Sequence, residues 1–280
     1  MAKTDALNIF QTDESTKDKL TESYAELMDM IQQEALSTQL KNTNLSGDPE
    51  SGSIVCRRLK TSSSETYGTA RTAGEGDQIN DNGVTINVDT NKEIVEELEL
   101  KDIELYGIDG ILGKRQANHV KAFTRDIDSA FFTEAEAEGS EVTLGTSDIE
   151  DQLEELIQEV ETTQNDNVDG VDRDMLVLTV KPSVYGALRN YVDTLPNPMG
   201  GGVDARFFHD VRVYPNLRQT KDAICMAVGS VGQLVKVSPY KLDNIPLSDA
   251  VAVTLFYYYG TKAVMPDLIQ YADTGSIVSA

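Results

Sequence analysis

Two short β-type segments are separated by about two dozen residues without any periodic pattern. Ser53–Leu59 predicts one strand, and Gly83–Val88, where Val84, Ile86 and Val88 alternate with polar residues, predicts its partner. A two-stranded hairpin is only marginally stable in water, and loops beyond about 15 residues are uncommon in compact domains unless they have a function. We therefore expect a long hairpin that needs support from outside itself.

The loop of this hairpin is basic, whereas the chain as a whole is acidic. The net charge is -23, from 24 Lys and Arg against 47 Asp and Glu. Between Ser53 and Ala73 there are four basic residues and one acid, Glu65, whereas residues 148–174 contain eleven acids and one base, Arg173. An acidic surface repels phosphate backbones, so tight nucleic-acid binding is not expected. The segregated charges favour contacts between positive and negative parts, within one copy or between copies.

Composition and length predict an ordinary soluble globular protein. The chain has 280 residues, of which 40% are hydrophobic, and no apolar run approaches the roughly 20 residues that a membrane span needs. The N-terminal residues lack the apolar stretch of a secretory signal, which predicts a protein kept in a cytoplasm. Cys56 and Cys225 each lie in an apolar β-like run, which favours buried thiols.

The first 52 residues read as an arm with one helix. In Thr16–Ala35, Leu20, Tyr24, Leu27 and Ile31 recur on one helical face. A polar segment follows, so the arm has no second apolar helix to pack against. We expect it to dock on the main body or on a neighbouring copy.

Two further helices have strong helical periodicity. Residues 111–139 carry Val120, Phe123, Ile127 and Phe131 on one face, with Gly139 as the predicted stop. Ser147 to Glu150 predicts a capping box for the next helix. The apolar stripe of that helix consists of Ile149, Leu153, Leu156, Ile157 and Val160, and its other face is almost entirely acidic.

The rest of the chain alternates short strands with one helix. The continuous apolar run "MLVLTV" (175–180) predicts a strand buried on both faces, and Pro182 predicts the first position of a helix bearing Val184 and Leu188. Strands follow at "VRVYPN", "ICMAVGS" and "QLVKVS", and the chain closes with a strand pair that we expect to bend at Gly260. This order predicts an α+β fold rather than a doubly wound sheet.

No motif in the sequence indicates catalysis or metal binding. His119 and His209 are the two histidines, and neither has Cys or His at metal-ligand spacing. Residues 165–176 partly match a calcium loop, but position 1 is Asn165 and position 12 is Leu176 instead of Glu, so a solvated acidic turn is favoured. We therefore predict no catalytic, cofactor-binding or metal-binding residue and no cofactor.

The order of elements resembles the major capsid proteins of tailed bacteriophages, which share the Hong Kong 97-type fold. Residues 56–88 are similar to the extended loop of that family, a hairpin that laps over an adjacent subunit, and residues 111–139 are similar to its spine helix. "MLVLTVKPSVYGALRNYVD" resembles the strand and helix of its axial domain, and "VTLFYYYGTKAVMPDLIQYAD" resembles its closing peripheral strands.

The resemblance implies five regions. They are an N-terminal arm (1–52), the extended loop (53–92), a peripheral domain with the spine helix (93–145), an axial domain (146–248), and C-terminal strands that return to the peripheral domain (249–280).

The resemblance also implies subunit interfaces. Arg57, Arg58, Lys60 and Arg71 are expected to contact another copy, and Gly200, Gly201 and Gly202 are expected at a tip that meets others around fivefold and sixfold axes. The implied partners are further copies in pentamers and hexamers, a scaffolding and a portal protein, and packaged DNA that is enclosed without tight sequence-specific binding. No membrane partner is implied. The implied location is the virion, assembled in the cytoplasm of a bacterial host.

The arm is shorter than the scaffolding segments of some family members, which implies a separate scaffolding protein or none. The sequence leaves two alternatives open. One is an encapsulin-type cargo shell, which shares this fold, and the other is an acidic α+β enzyme.

Overall fold

The computed structural model describes residues 24–31, 34–44, 52–59, 66, 81–99, 108–145, 148–194, 206–245, 248 and 250–273. Residues 24–31 are helical, and the further helices are α1 (Leu36–Leu40), α2 (Ile108–Glu138), α3 (Ile149–Glu161) and α4 (Pro182–Thr194). Short 3-10 turns lie at Arg173–Met175 and Pro266–Leu268. The strands are β1 (Ser53–Leu59), β2 (Asp81–Asn87), β3 (Thr90–Glu99), β4 (Ser140–Glu141), β5 (Gln164–Asn165), β6 (Val168–Asp169), β7 (Leu176–Val180), β8 (Phe207–Phe208), β9 (Val211–Pro215), β10 (Ala223–Ala227), β11 (Val231–Val237), β12 (Lys241–Asn244), β13 (Ala250–Ala263) and β14 (Ile269–Ala272).

The chain divides into two compact units, each discontinuous in sequence. Unit 1 comprises Met1–Gln39, Asn87–Asp128 and Leu234–Gly260, and unit 2 comprises Leu40–Ile86, Ser129–Gln233 and Thr261–Ala280. The long helix α2 contributes residues to both units. Helices and strands occur together in both units, as the predicted α+β class requires.

Unit 2 contains a six-stranded sheet in the order β4-β14-β10-β7-β9-β8. Strand β10 is antiparallel to both of its neighbours, whereas β7 and β9 are parallel. The chain passes through α4 between β7 and β9, because parallel neighbours need a crossover connection.

Strand β7 is at the centre of the unit 2 core. All five of its residues are buried, which confirms the predicted strand with two covered faces. The predicted stripes of α3 and α4 belong to the same cluster as one face of β7. The buried residues that these three elements contribute are Ile149, Leu153, Leu156, Ile157, Val160, Leu176, Leu178, Val180, Val184, Leu188 and Val192.

Helix α2 confirms the predicted long helix and its apolar face. Val120, Phe123, Ile127 and Phe131 are all at most 1% exposed, and the helix ends one residue before Gly139. Its first residue is Ile108, so the helix starts three residues earlier than its periodicity predicts.

Unit 1 is built on the long strand β13. This strand pairs antiparallel with β3 over ten residues and with β12 over four. The Phe123 ring on α2 packs edge-on against Tyr257 of β13, with ring centroids 4.8 Å apart.

A buried polar cluster lies in the same unit. His119 Nδ1 forms a 2.9 Å hydrogen bond with the Tyr240 hydroxyl, and its Nε2 lies 3.2 Å from Glu96 Oε2. Burial, together with the Glu96 charge, raises the pKa of Tyr240 well above its ordinary value. His119 is thus a packed residue of the core, as its place beside the apolar stripe predicts.

The described part of the arm docks on its own chain. The Tyr24 hydroxyl donates to the Val237 carbonyl at 3.1 Å, and Leu27 and Ile31 are buried. The arm also contains α1, which the sequence pattern did not predict. The Asp128 carboxylate accepts a 2.9 Å hydrogen bond from the Ser37 N–H, and so satisfies a donor in the first turn of α1 from 91 positions away.

Two predicted details are wrong. Strand β13 continues through Gly260 to Ala263, so the strand pair is not divided at Gly260. A Cβ at this position would overlap the Asn87 carbonyl oxygen, so glycine is needed for the close approach of another backbone segment.

The second detail is the predicted capping box of α3. Helix α3 starts at Ile149 with Asp148 as the N-cap residue, and Asp148 makes no side-chain cap hydrogen bond. Ser147 lies outside the described residues.

The two closing strands lie in different sheets. β13 pairs with β3 and β12, whereas β14 pairs with β10 and β4 in the six-stranded sheet.

We expect Gly260→Ala to lower the free energy of unfolding by about 3 kcal/mol or more, because backbone rather than a flexible side chain occupies the space. Urea unfolding of the full-length chain measures this. Gly186→Ala is the matched control: its Cβ would meet nothing within 4 Å, and it lies inside α4, so it should raise stability by about 0.5–1 kcal/mol. Equal effects of the two substitutions would contradict the close approach at Gly260.

Candidate assembly surfaces

The base of the β1–β2 hairpin is anchored on its own chain. Ile54, Cys56 and Ile86 are at most 4% exposed. The Ile86 side chain lies against Gly232, where a Cβ would overlap it, and the Cys56 thiol is 3.6 Å from the Asn44 carbonyl oxygen. The two strands are therefore supported from outside the hairpin, as expected, by other segments of the same chain. Support from a neighbouring copy stays a prediction. The connecting residues 60–80, apart from Thr66, lie outside the described residues.

The four predicted basic interface residues divide into three groups. Arg58 forms a salt bridge with Asp267, and its side chain is only 11% exposed, so it contributes to the fold of its own chain. Arg57 is exposed on β1. Lys60 and Arg71 lie outside the described residues.

Two exposed rows of carboxylates face solvent. On α3 the exposed acids are Asp151, Glu155 and Glu159, and on β3 they are Glu93, Glu97 and Glu99. The β3 row surrounds Val95, which is 52% exposed. The row on α3 is the acidic helix face that the sequence predicts, whereas the row on β3 was not predicted.

Charges of opposite sign also meet within the chain. Lys262 Nζ lies 3.2 Å from Glu134 and 3.0 Å from Glu138, Lys181 Nζ lies 2.8 Å from Asp222, and Lys92 Nζ lies 3.7 Å from Asp126. These ion pairs lie within one copy, but they do not join the basic segment 53–73 to the acidic segment 148–174, so a contact between those segments stays a prediction.

A network of charged groups joins α3 to the turns at the ends of β7 and β8. Arg173 donates from Nε to Glu161 at 2.6 Å, and its Nη2 pairs with Glu154. His209 Nδ1 lies 2.9 Å from Glu154 Oε2, and its Nε2 lies 3.4 Å from Glu150 Oε1. The network thus connects residues 150 to 209 through one arginine and three carboxylates.

The pKa of Glu154 is perturbed by its contacts in this network. Burial by itself would raise the pKa of its carboxyl group, but hydrogen bonds from Arg173, His209 and Gln158 outweigh burial and lower the pKa to about 2. The same contacts with Glu161 and Glu154 raise the pKa of Arg173. Sequence reasoning missed this site, although Arg173 is the one base within residues 148–174.

The predicted tip glycines Gly200, Gly201 and Gly202 lie outside the described residues. The first strand after them is β8, which is at one end of the six-stranded sheet. Phe207 of β8 is 55% exposed.

The described residues show no group of three or more His, Cys, Asp and Glu side chains arranged to hold a metal ion. In the partial calcium-loop match, the Asn165 side-chain oxygen accepts hydrogen bonds from the N–H groups of Asn167 and Val168, at 2.9 and 3.0 Å. That oxygen therefore closes a turn between β5 and β6.

Both cysteines are buried free thiols, as predicted, and burial raises the pKa of each. Within the described part of the chain, no helix has both the length and the apolar content to cross a membrane.

Solved structures similar to this chain include phage structures and a virus-like particle. The capsid structure of cyanophage P-SCSP1u matches with a TM-score of 0.62 and 13% identity, over 85% of this chain and 88% of that one. A structure from Mycobacterium phage Che8 matches with a TM-score of 0.58 and 16% identity, over 79% of this chain and 84% of that one. The virus-like particle from Pyrococcus furiosus matches with a TM-score of 0.58 and 15% identity, over 91% of this chain and 98% of that one.

The chain has the Hong Kong 97-type capsid fold. At the level of sequence, no family model and no curated protein matches the chain. The identity to the solved capsid structures is low, so the likeness lies in the arrangement of elements.

The charge network of this capsid-fold chain should make stability depend on acid pH through Glu154. Because its pKa is about 2 in the fold and ordinarily 4.5, its contribution is present above about 4.5 and is lost as pH falls toward 2. Glu154→Gln should lower the free energy of unfolding at pH 7 by about 1–2 kcal/mol, and should flatten its decline between pH 4.5 and 2.

Urea unfolding at several pH values measures both effects. Glu159→Gln, an exposed position on the same helix, is the matched control and should leave the decline unchanged. If Glu154→Gln and the wild type declined in parallel, the assignment of Glu154 would be wrong.

Proposed function

We propose that this chain is a major capsid protein, the structural subunit that self-assembles into the icosahedral head enclosing the double-stranded DNA of a tailed bacteriophage. The observation that carries the proposal is the match to phage capsid structures over more than four fifths of both chains. The five regions implied by the sequence resemblance are proposed with it. We also propose that the chain forms pentamers and hexamers, that it assembles with scaffolding and portal proteins in a bacterial cytoplasm, and that it is part of the virion.

Two alternatives have less support. The similar structures are mainly those of phages, which favours a DNA-filled head over an encapsulin-type cargo shell. A shell subunit needs no catalytic centre, and its fold alone does not favour an enzyme.

The extended loop is proposed to hold neighbouring copies together by charge. Its basic residues Arg57, Lys60 and Arg71 would lie against an acidic row of the next copy, such as the row on α3 or on β3. An exposed ion pair contributes only about 0–1 kcal/mol. A closed shell repeats the contact at every subunit, so weak pairs add up to a stable assembly.

We expect the triple variant Arg57→Gln, Lys60→Gln, Arg71→Gln to lose shell formation while its subunit stays folded. Up to about 3 kcal/mol per subunit would be lost from the contact. Arg58 is left unchanged because it pairs with Asp267 in its own chain. Negative-stain electron microscopy and sedimentation measure assembly, and circular dichroism checks the fold.

The control triple variant Lys121→Gln, Arg189→Gln, Arg218→Gln changes the net charge equally at exposed positions and should assemble normally. Normal shells from the loop variant would contradict the loop contact alone. A wild-type chain that forms no closed particle, with or without scaffolding protein, would contradict the capsid function itself. A particle filled with an enzyme would favour the encapsulin alternative.

The glycines Gly200, Gly201 and Gly202 are proposed to lie where subunits meet around fivefold and sixfold axes. Glycine adopts several backbone conformations at little steric cost, which two ring sizes require. Replacing all three by Val should therefore shift the distribution of particle sizes or block closure, as seen by electron microscopy. Replacement of the exposed Gly186 by Ala serves as the control, and identical particles from both variants would remove this proposal.

A further inference from the structure

The turn between β8 and β9 has an unusual backbone. His209 has φ 44° and Asp210 has φ 71°, and the flanking residues Phe208 and Val211 are paired. A two-residue hairpin loop with both central residues at positive φ has the geometry of a type I′ turn, which favours Asn-Gly. Here neither central residue is glycine, so the backbone is strained and needs other contacts to hold it.

Side chains supply those contacts on three sides of His209. Its imidazole faces Glu154 at 2.9 Å and Glu150 at 3.4 Å. Its carbonyl oxygen accepts a 3.2 Å hydrogen bond from Arg173 Nη1. Its ring also stacks on Phe208, with centroids 4.2 Å apart.

Polar and charged groups from neighbouring elements lie around the turn. Helix α3 contributes Glu150, Glu154 and Glu161, and the 3-10 turn before β7 contributes Arg173. The Tyr191 hydroxyl of α4 donates to Glu150. Arg173 is the group that links the most parts, because it bonds two α3 carboxylates and the backbone of the strained turn.

We propose that the β8–β9 turn is a strained latch, and that Arg173 is the positioning residue that keeps it closed. When closed, the latch fixes β8, the end strand of the six-stranded sheet, with Phe207 exposed on it. When Arg173 is lost, the unopposed backbone strain opens the turn and moves this end strand. The role in assembly rests on the proposed function, because β8 would then control a contact between copies.

The decisive experiment is a rescue. Arg173→Met removes the closing contacts, and Asp210→Gly removes much of the strain while leaving the contacts of His209 and Arg173 in place. If the contacts only offset strain, the double variant should close again. Asp210→Gly alone is the control, because a glycine that stabilises the turn independently of Arg173 would slow exchange by the same factor in the wild type and in Arg173→Met.

Amide hydrogen exchange on the purified full-length chain is the readout. In Arg173→Met we expect at least a tenfold faster exchange at β8 and β9, including the Val213 N–H that donates to the Arg206 carbonyl at 2.8 Å. Exchange in the buried strand β10 should stay within about twofold of the wild type. Adding Asp210→Gly should return the exchange rates of β8 and β9 to within about threefold of the wild-type rates.

Faster exchange that spreads equally to β10, or that Asp210→Gly fails to reverse, would overturn the latch. If Arg173→Met does not fold, the same comparison is made with Arg173→Lys, which keeps the charge but loses the planar fork of donors. Electron microscopy of the same proteins should show misshapen particles for the single variant and regular ones for the double variant. A wild-type chain that forms no closed particles would count against the capsid function. The hydrogen-exchange comparison would still show whether Arg173 keeps the turn closed.

Discussion

Burial of β7 on both faces is the constraint on which the rest of unit 2 depends. Each Leu or Val of this strand stabilises the fold by about 1.5–3 kcal/mol only if neither face meets water. Helices α3 and α4 cover one face of β7. The two ends of the strand determine where the residues that flank it in the chain are placed. Arg173 sits in the turn before it, and the Lys181 N–H after it donates to the Asp222 carbonyl at 2.9 Å. The charge network is therefore positioned by an apolar strand.

The sequence predicted the elements whose signal is local. The stripes of α2 and α3, the apolar run of β7 and the Pro182 start of α4 all depend on residues a few positions apart, and the structure confirms them. Helix α1 was missed because the carboxylate that satisfies its first turn lies 91 positions away. The role of Gly260 was predicted wrongly because the sequence does not distinguish the two roles of a glycine in a strand. It can bend the strand, or it can leave room for a neighbouring backbone, as it does here.

The candidate assembly surfaces were predictable in kind but not in detail. Segregation of charge along the chain indicates that opposite charges meet, yet it does not tell which pairs form within one copy. Arg58 and Asp267 are 209 positions apart, so their salt bridge has no local signal. The strained turn is hidden for a different reason: type I′ turns are recognised by glycine, and His209 and Asp210 offer none.

The anchored base of the β1–β2 hairpin has a consequence for the rate and strength of association. Pairing of the two strands brings together the ends of the segment from Lys60 to Asn80, so the entropy of closing that loop is lost during folding of the single chain. A partner surface then need not supply this ordering at the moment of encounter. In the proposed shell, preorganisation of this kind would let shallow ionic contacts hold subunits reversibly, so that a wrongly placed copy would dissociate before the shell closed around it.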